Sequence, residues 1–246
     1  VMSRRVLRIL LLRGLVHIGG LAAMFAAFRF LPLADAIAIA FVFPFIQLLL
    51  GHLFLGEQVG IRRLSACSVG FLGTLLIIQP SFAEVGLPAL LPLLVALLFA
   101  LLVLMTRQIA KEYDPVCLQS TSGLICLVML TAAGIGLGNT GIFGLQLTLP
   151  PAENWGTLVL IGFFGTLADI AMTYAVRFAP STTLAPMQYV EIPIATFLGW
   201  LFFQDLPDGM AAAGILITVS AGLAVIYFEH SANRVRPDTR SKPPAA

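Results

Sequence analysis

The chain of 246 residues is 59% hydrophobic and only 11% charged, against about 25% charged in an ordinary soluble domain. So much apolar side chain leaves too little polar surface for a water-soluble globule, and the mean hydropathy of +0.98 agrees. A net charge of +2 is too small to suggest nucleic acid, and three separated cysteines (Cys67, Cys117, Cys126) without a CxxC pair indicate neither a disulfide framework nor a zinc centre.

A membrane helix needs about 20 predominantly apolar residues. Eight such stretches follow one another, at residues 9–31, 33–55, 62–79, 87–107, 115–137, 154–176, 181–203 and 209–228. None is short enough, or alternates enough, for the strands of a membrane barrel. The first is too long for a signal peptide. It carries His17 and runs to Arg29 and Pro32. The second holds Gln47 beside a bend expected at Pro44, and ends at Glu57. In the third, Gly70 and Gly73 are spaced for close helix packing, as are Gly162 and Gly165 in the sixth. Between the fifth and sixth, Gly136, Gly138 and Gly141 match the GxGxxG pattern, but no strand precedes them, so they read as a loop.

Ionisable groups inside a span are costly, about 2.5–3.5 kcal/mol for Asp, and are functional candidates by default. In the sixth span Asp169 has Thr166 and Thr173 at helical spacing, with Tyr174 nearby. It either lines a cavity or bonds a neighbouring helix. In the seventh, Gln188, Glu191 and Ala195 are spaced to share a face near mid-depth, flanked by Tyr189, Pro186 and Pro193. Each proline frees a backbone carbonyl. Glu191 therefore either binds a cationic or amine group, takes up a transported proton, or is a neutral hydrogen-bonded structural residue. Tyr174 and Tyr189 either offer hydroxyls and ring faces to a solute or pack. The substrate- or proton-binding candidates are Glu191, Gln188, Tyr189, Asp169, Tyr174 and Gln47, with helix breaks at Pro44, Pro186 and Pro193. No catalytic constellation, metal set, P-loop or cofactor motif is present. Residues 230–246, polar and rich in Arg and Pro, read as a disordered cytoplasmic tail.

With the N-terminus in the cytoplasm, thirteen of the fourteen basic residues, Arg13 among them, fall on the inner side and only Arg29 outside. The positive-inside rule favours that orientation, with both termini cytoplasmic and an even number of spans. The first and last thirds of the chain also repeat. At an offset of 148 positions, Ala27-x-Arg29-Phe30-x-Pro32 falls on Ala175-x-Arg177-Phe178-x-Pro180, Gly51-x-Leu53-Phe54 on Gly199-x-Leu201-Phe202, and Glu57 on Asp205. Arg29 lies outside and Arg177 inside, so the copies are inverted, an arrangement typical of secondary transporters. Glu57 and Asp205 are expected to cap the next helix or anchor the interface, and Arg29 and Arg177 with their prolines to set short turns.

The stretch Ala27 to Ala36, Leu53-Phe54-Leu55-Gly56-Glu57, Val69 to Ile78, and Tyr189-Val190-Glu191-Ile192-Pro193 with Leu198 to Phe203 resemble, in order and spacing, the EamA-type members of the drug/metabolite transporter superfamily. The resemblance covers residues 4–228. It implies an all-α fold of ten helices in two inverted five-helix repeats around a central cavity. It also implies carriage of small metabolites such as amino acids, nucleosides, vitamins or S-adenosylmethionine by alternating access. Eight helices are supplied here, so the first two, about 60 residues, are expected to be missing. The repeats then occupy 1–84 (three helices) and 85–229 (five helices). The expected setting is a bacterial inner membrane. The expected partners are a small solute and the bilayer, with room for a homodimer and no nucleic acid. The competing readings are a truncated non-transporting protein or subunit that needs a partner, and, less well supported, a membrane enzyme.

Overall fold

Ser3 opens the first helix of the computed structural model by accepting a hydrogen bond on its side chain from the Val6 N–H at 3.3 Å. The structure describes residues 3–79, 86–137, 150–204 and 209–235. Ten α-helices follow: α1 (Arg4–Ala27), α2 (Leu33–Ala40), α3 (Phe43–Leu55), α4 (Ile61–Ile78), α5 (Leu90–Ile109), α6 (Pro115–Leu137), α7 (Trp155–Phe178), α8 (Ser181–Leu184), α9 (Glu191–Phe203) and α10 (Gly209–Val235). A 3-10 turn over Pro186–Val190 joins α8 to α9. Among the described residues there is no strand.

Among the described residues, six segments are long and apolar enough to cross a membrane: Arg4–Ala27, Asp35–Leu55, Ile61–Ile78, Leu87–Ile109, Pro115–Gly136 and Ala152–Phe178. They correspond in order to the first six stretches in the sequence. The seventh is present but broken, and the eighth is α10, six residues of which (230–235) continue into the expected tail. The remainder of that tail, Asp205, and Gly138 and Gly141 of the glycine loop lie outside the described residues. The outward faces carry large apolar side chains such as Leu160, Ile161, Phe163, Phe164 and Phe202, a surface suited to lipid and not to water.

The repeat seen in the sequence is repeated in the local backbone. Pro32 and Pro180 cap α2 and α8 with nearly the same dihedrals, φ −54° and ψ 146° against φ −57° and ψ 145°. Proline fixes φ there and removes an N–H that a helix start leaves without a partner anyway. Both helices then stop early. α3 restarts at Phe43 and α9 at Glu191, again 148 positions apart, and both run 13 residues. Both end on a left-handed residue, Gly56 (φ 64°) and Gln204 (φ 61°). The bend expected at Pro44 is this restart, with the proline in the first turn of α3, where it is tolerated.

Glycine suits the left-handed position and glutamine does not, since its Cβ crowds the following carbonyl. Gln204→Gly is therefore expected to stabilise the protein by about 0.5–1 kcal/mol, net of the entropy glycine adds to the unfolded chain. Thermal unfolding in detergent checks it, with a midpoint raised by roughly 1–4 °C.

The chain forms two compact units. The first comprises Val1–Val59 and Ile78–Ala185, the second Gly60–Ile77 and Pro186–Ala246. In the first, α5 is the hub: α1, α2, α3, α7 and α8 all pack on it. Small residues let them approach, as where Ala23 and Ala40 meet Val95, and where Leu50 meets Ala100 and Leu104. α6 packs on α1 and α7. In the second unit, α10 lies against α9 and the 3-10 turn. It also crosses α4 where Gly73 faces Gly214: a Cβ on Gly214 would stand 2.6 Å from the Gly73 carbonyl oxygen. Gly70 makes room for the Tyr189 ring, 2.7 Å from where its own Cβ would be. The close packing expected of Gly70 and Gly73 is thus present. That expected of Gly162 and Gly165 is not, because nothing among the described residues comes within 4 Å of a Cβ at either. Both lie on a half of α7 that is exposed all round.

Candidate functional site

Glu57 follows the left-handed Gly56, and its N–H closes the end of α3 on the Gly51 carbonyl at 3.1 Å. That turn delivers the carboxylate to the start of α8, 124 residues further along the chain. Oε1 accepts from the Ser181 N–H at 3.1 Å. Oε2 accepts from the Ser181 hydroxyl at 2.8 Å and the Thr182 N–H at 2.9 Å. Arg107 from α5 stands 3.5 Å away and completes a largely buried ion pair. Arg107 also donates to the carbonyls of Val176 and Arg177 at the end of α7. Burial opposes the charged form of Glu57. The bonds from Thr182 and Ser181 outweigh it and hold the carboxyl below its ordinary value. Glu57 thus caps a helix, though not the next one in the chain as the sequence suggests.

Gln47 belongs to the same junction. It is 1% exposed and donates from Nε2 to the Ser181 carbonyl at 2.6 Å. One turn on, a Cβ at Gly51 would lie 2.8 Å from Thr182 Cγ2 and 2.9 Å from Ser181 Oγ. α3 and α8 therefore touch through a glycine, pinned by Gln47 on one side and Glu57 on the other.

A second polar group sits among α1, α5, α6 and α7. Arg13 is 4% exposed, ten residues beyond the Ser3 cap. It donates from Nε to Thr106 Oγ1 at 3.0 Å, and from its two terminal nitrogens to Ser122 Oγ at 2.6 Å and Gln119 Oε1 at 3.2 Å. Gln119 Nε2 in turn donates to Asp169 Oδ2 at 2.9 Å. Arg13 is thus a residue of the helix interior. Asp169 bonds a neighbouring helix, the second of the two readings open for it. Its flanking threonines do not hold the carboxylate: the Thr173 hydroxyl bonds the Asp169 backbone carbonyl at 2.8 Å, and Thr166 is exposed. Tyr174 is 39% exposed.

In the second unit the 3-10 turn changes the expected face. Gln188 is half-buried within the turn, whereas Glu191 and Ala195 are exposed on α9. The three do not share one continuous helical face, because the helix starts only at Glu191. The carboxylate therefore stands in the first turn of α9, where the helix dipole favours negative charge. Glu191 makes no hydrogen bond or ion pair with any described residue. Tyr189 is fully buried, with its ring over Gly70 and 6.3 Å from the Phe71 ring. Pro186 is buried in the turn, and Pro193 occupies the third position of α9, where a missing N–H costs little.

Sequence reasoning missed the bonding roles of Gln119 and Arg107 and the burial of Arg13. One signal was available: Arg13 lies inside the first apolar stretch, and Gln119 and Ser122 are spaced one turn apart in the fifth. The pairing of Glu57 with Ser181 had no local signal.

Paired broken helices, in a chain whose described residues form helices and no strand and whose outward faces suit lipid, define a polytopic membrane protein. The chain belongs to the EamA-like transporter family, whose model matches residues 2–79 and 86–228. Among its relatives, a riboflavin transporter of Rhizobium johnstonii is 31% identical over 85% of this chain and 67% of its own length. A pseudopaline exporter of Pseudomonas aeruginosa is 30% identical over 91% of this chain and 76% of its own. A solved crystal structure 16% identical to the chain shares the fold, with a TM-score of 0.76 over 93% of this chain and 80% of that one. The family and these relatives are described as transporters.

Proposed function

We propose that this protein is a secondary active transporter of small metabolites that works by alternating access. The observation that carries the reading is the matched interruption of two helices, with α3 and α9 restarting and ending at equivalent positions of the repeat. Carriers built from inverted repeats bind solute at such discontinuous helices, where half-helix ends offer unpaired backbone groups. Glu191, exposed at the start of α9 and without a partner among the described residues, accepts hydrogen bonds from N–H or O–H groups of the solute. The solute class is vitamin-, nucleoside- or amino-acid-like, and riboflavin is the first to test, given the relative that carries it. Both termini face the cytoplasm of a bacterial inner membrane. The asymmetry of basic residues between the two sides supports this orientation.

The test is uptake into proteoliposomes from a panel of riboflavin, S-adenosylmethionine and amino acids. The wild-type protein is expected to move at least one of them. Glu191→Gln should lower that uptake about tenfold or more, the worth of one charged hydrogen bond. A well-folded protein that moves no solute overturns the transport reading. Undiminished uptake by the variant removes Glu191 from the site.

A further inference from the structure

A groove of about 420 Å³ lies between α4 and α10, beside their glycine crossing. Its lining is apolar throughout: Val69, Leu72, Leu75 and Leu76 of α4, and Ile217 of α10. The inner face of α4 is already occupied. Cys67, Gly70, Gly73 and Thr74 are buried, with Gly70 against the Tyr189 ring and Gly73 against Gly214 and Thr218. Val69 and Leu72, in the groove, are exposed. Membrane helices approach one another closely through small residues. Both glycines of α4 are turned inward, so the groove offers a further helix only branched side chains. Such a surface suits a slender, flexible chain better than a second helix.

A positive charge stands at one end of the groove. Arg62, Val69, Leu72 and Leu76 are spaced i, i+7, i+10 and i+14, within about 80° of arc on a helix of 3.6 residues per turn. At 1.5 Å per residue the groove runs from about 10 to about 21 Å beyond Arg62 along the axis. The hydrocarbon of one leaflet is about 15 Å deep. The groove therefore lies at the depth of acyl chains whose headgroup is level with Arg62. Arg63 follows, and the first turn of α4 holds no acidic residue. Each arginine already interacts within the protein. A guanidinium has five N–H donors, so it can bind a phosphate oxygen as well. The other end differs. α10 runs antiparallel, with Gly214 beside Ile77 and Thr218 beside Gly73. At its repeat-equivalent start, Asp208, Met210 and Ala211 stand where α4 has Gly60, Arg62 and Arg63.

We propose that this groove binds an acyl chain of an anionic phospholipid whose phosphate rests on Arg62 and Arg63. Charge complementarity selects the headgroup, and the apolar channel takes the tail. The lipid covers the seam between α4 and α10. The proposal requires only that the protein sits in a membrane, and it does not depend on the transporter reading.

The experiment is native mass spectrometry of the full protein, delipidated in detergent and titrated with phosphatidylglycerol or with phosphatidylcholine of the same acyl chains. One phosphatidylglycerol is expected to bind about fivefold or more tightly than phosphatidylcholine, the factor that one arginine near an anionic surface supplies. Arg62→Gln should weaken phosphatidylglycerol binding about fivefold and leave phosphatidylcholine unchanged, whereas Arg62→Lys should keep most of it. Leu72→Trp fills the groove and should weaken both lipids. Should it fail to fold, Val69→Trp serves, one turn away. Equal binding of the two lipids by the wild type, or undiminished binding in Arg62→Gln, overturns the headgroup site. Undiminished binding in the tryptophan variant overturns the groove. The same spectra report oligomeric state. A dimer that holds no lipid and dissociates in Leu72→Trp makes a second copy the occupant and overturns the proposal.

Discussion

Glu57→Gln is expected to destabilise the protein by about 3–5 kcal/mol, the range for breaking a buried ion pair from one side. The carboxylate and Arg107 are only 11% and 14% exposed, so little solvent screening softens the loss. Glutamine keeps an oxygen for the N–H groups of Ser181 and Thr182, but it removes the charge that faces Arg107. Thermal unfolding in detergent at neutral pH reads the difference. The pH dependence is a second signature. The folded-state carboxyl titrates below its ordinary value, so its contribution is fully present above the unfolded value of about 4.3. It is lost as pH falls through the lower folded value. Wild type and Glu57→Gln should therefore converge in stability at strongly acid pH and diverge toward neutrality. Parallel curves would show that the Glu57 charge does not hold the junction.

Gly214→Val should be strongly damaging in the second unit. A Cβ there would sit 2.6 Å from the Gly73 carbonyl oxygen, 2.8 Å from Ile77 Cγ1 and 3.0 Å from the Ile77 nitrogen. Two of those neighbours are backbone, so α4 and α10 must part. Overpacking of this kind costs about 1–3 kcal/mol and more where the backbone has to move. The separation also forfeits the contacts that close approach gives small-residue crossings. Gly162→Ala is the control. Its Cβ meets nothing within 4 Å, and alanine is the better helix former by about 1 kcal/mol, so that variant should be neutral or slightly stabilised. A pair of unfolding curves, one shifted far down and one not, is the expected result.

The number, order and approximate bounds of the apolar segments were legible in the sequence because a membrane helix is specified by length and hydropathy alone. The repeat was legible for a similar reason: Arg, Pro and acidic residues are rare enough in apolar sequence that their matches carry information. It extended to matters that the sequence does not show, such as equal restarts at Phe43 and Glu191. Two expectations failed on helix phase. Helical spacing put Gln188 and Glu191 on one face, but prolines at 186 and 193 allow a tighter turn between them. GxxG spacing was sufficient for contact at Gly70 and Gly73 and insufficient at Gly162 and Gly165, since the spacing permits an approach without supplying a partner. Arg13 was read by its sign and not its depth. The long-range bonds of Glu57 and Gln119 depend on which helices become neighbours, and segments apolar on every side give no periodic signal from which to infer that.

The junction at Glu57 also bears on how the protein is made. Its hydrogen-bond partners, Ser181 and Thr182, are 124 and 125 residues downstream. At elongation rates of about 5–20 residues per second, a span of that length takes roughly 6–25 s to synthesise. Throughout that interval α3 is already made while the groups that will hold its terminal carboxylate do not yet exist. Arg107 emerges partway through, ahead of the α7 carbonyls it will bind. A nascent chain stalled between these points presents an acidic and a basic group near the membrane without their final hydrogen bonds, a mark by which an insertase or a membrane protease can tell it from the finished protein.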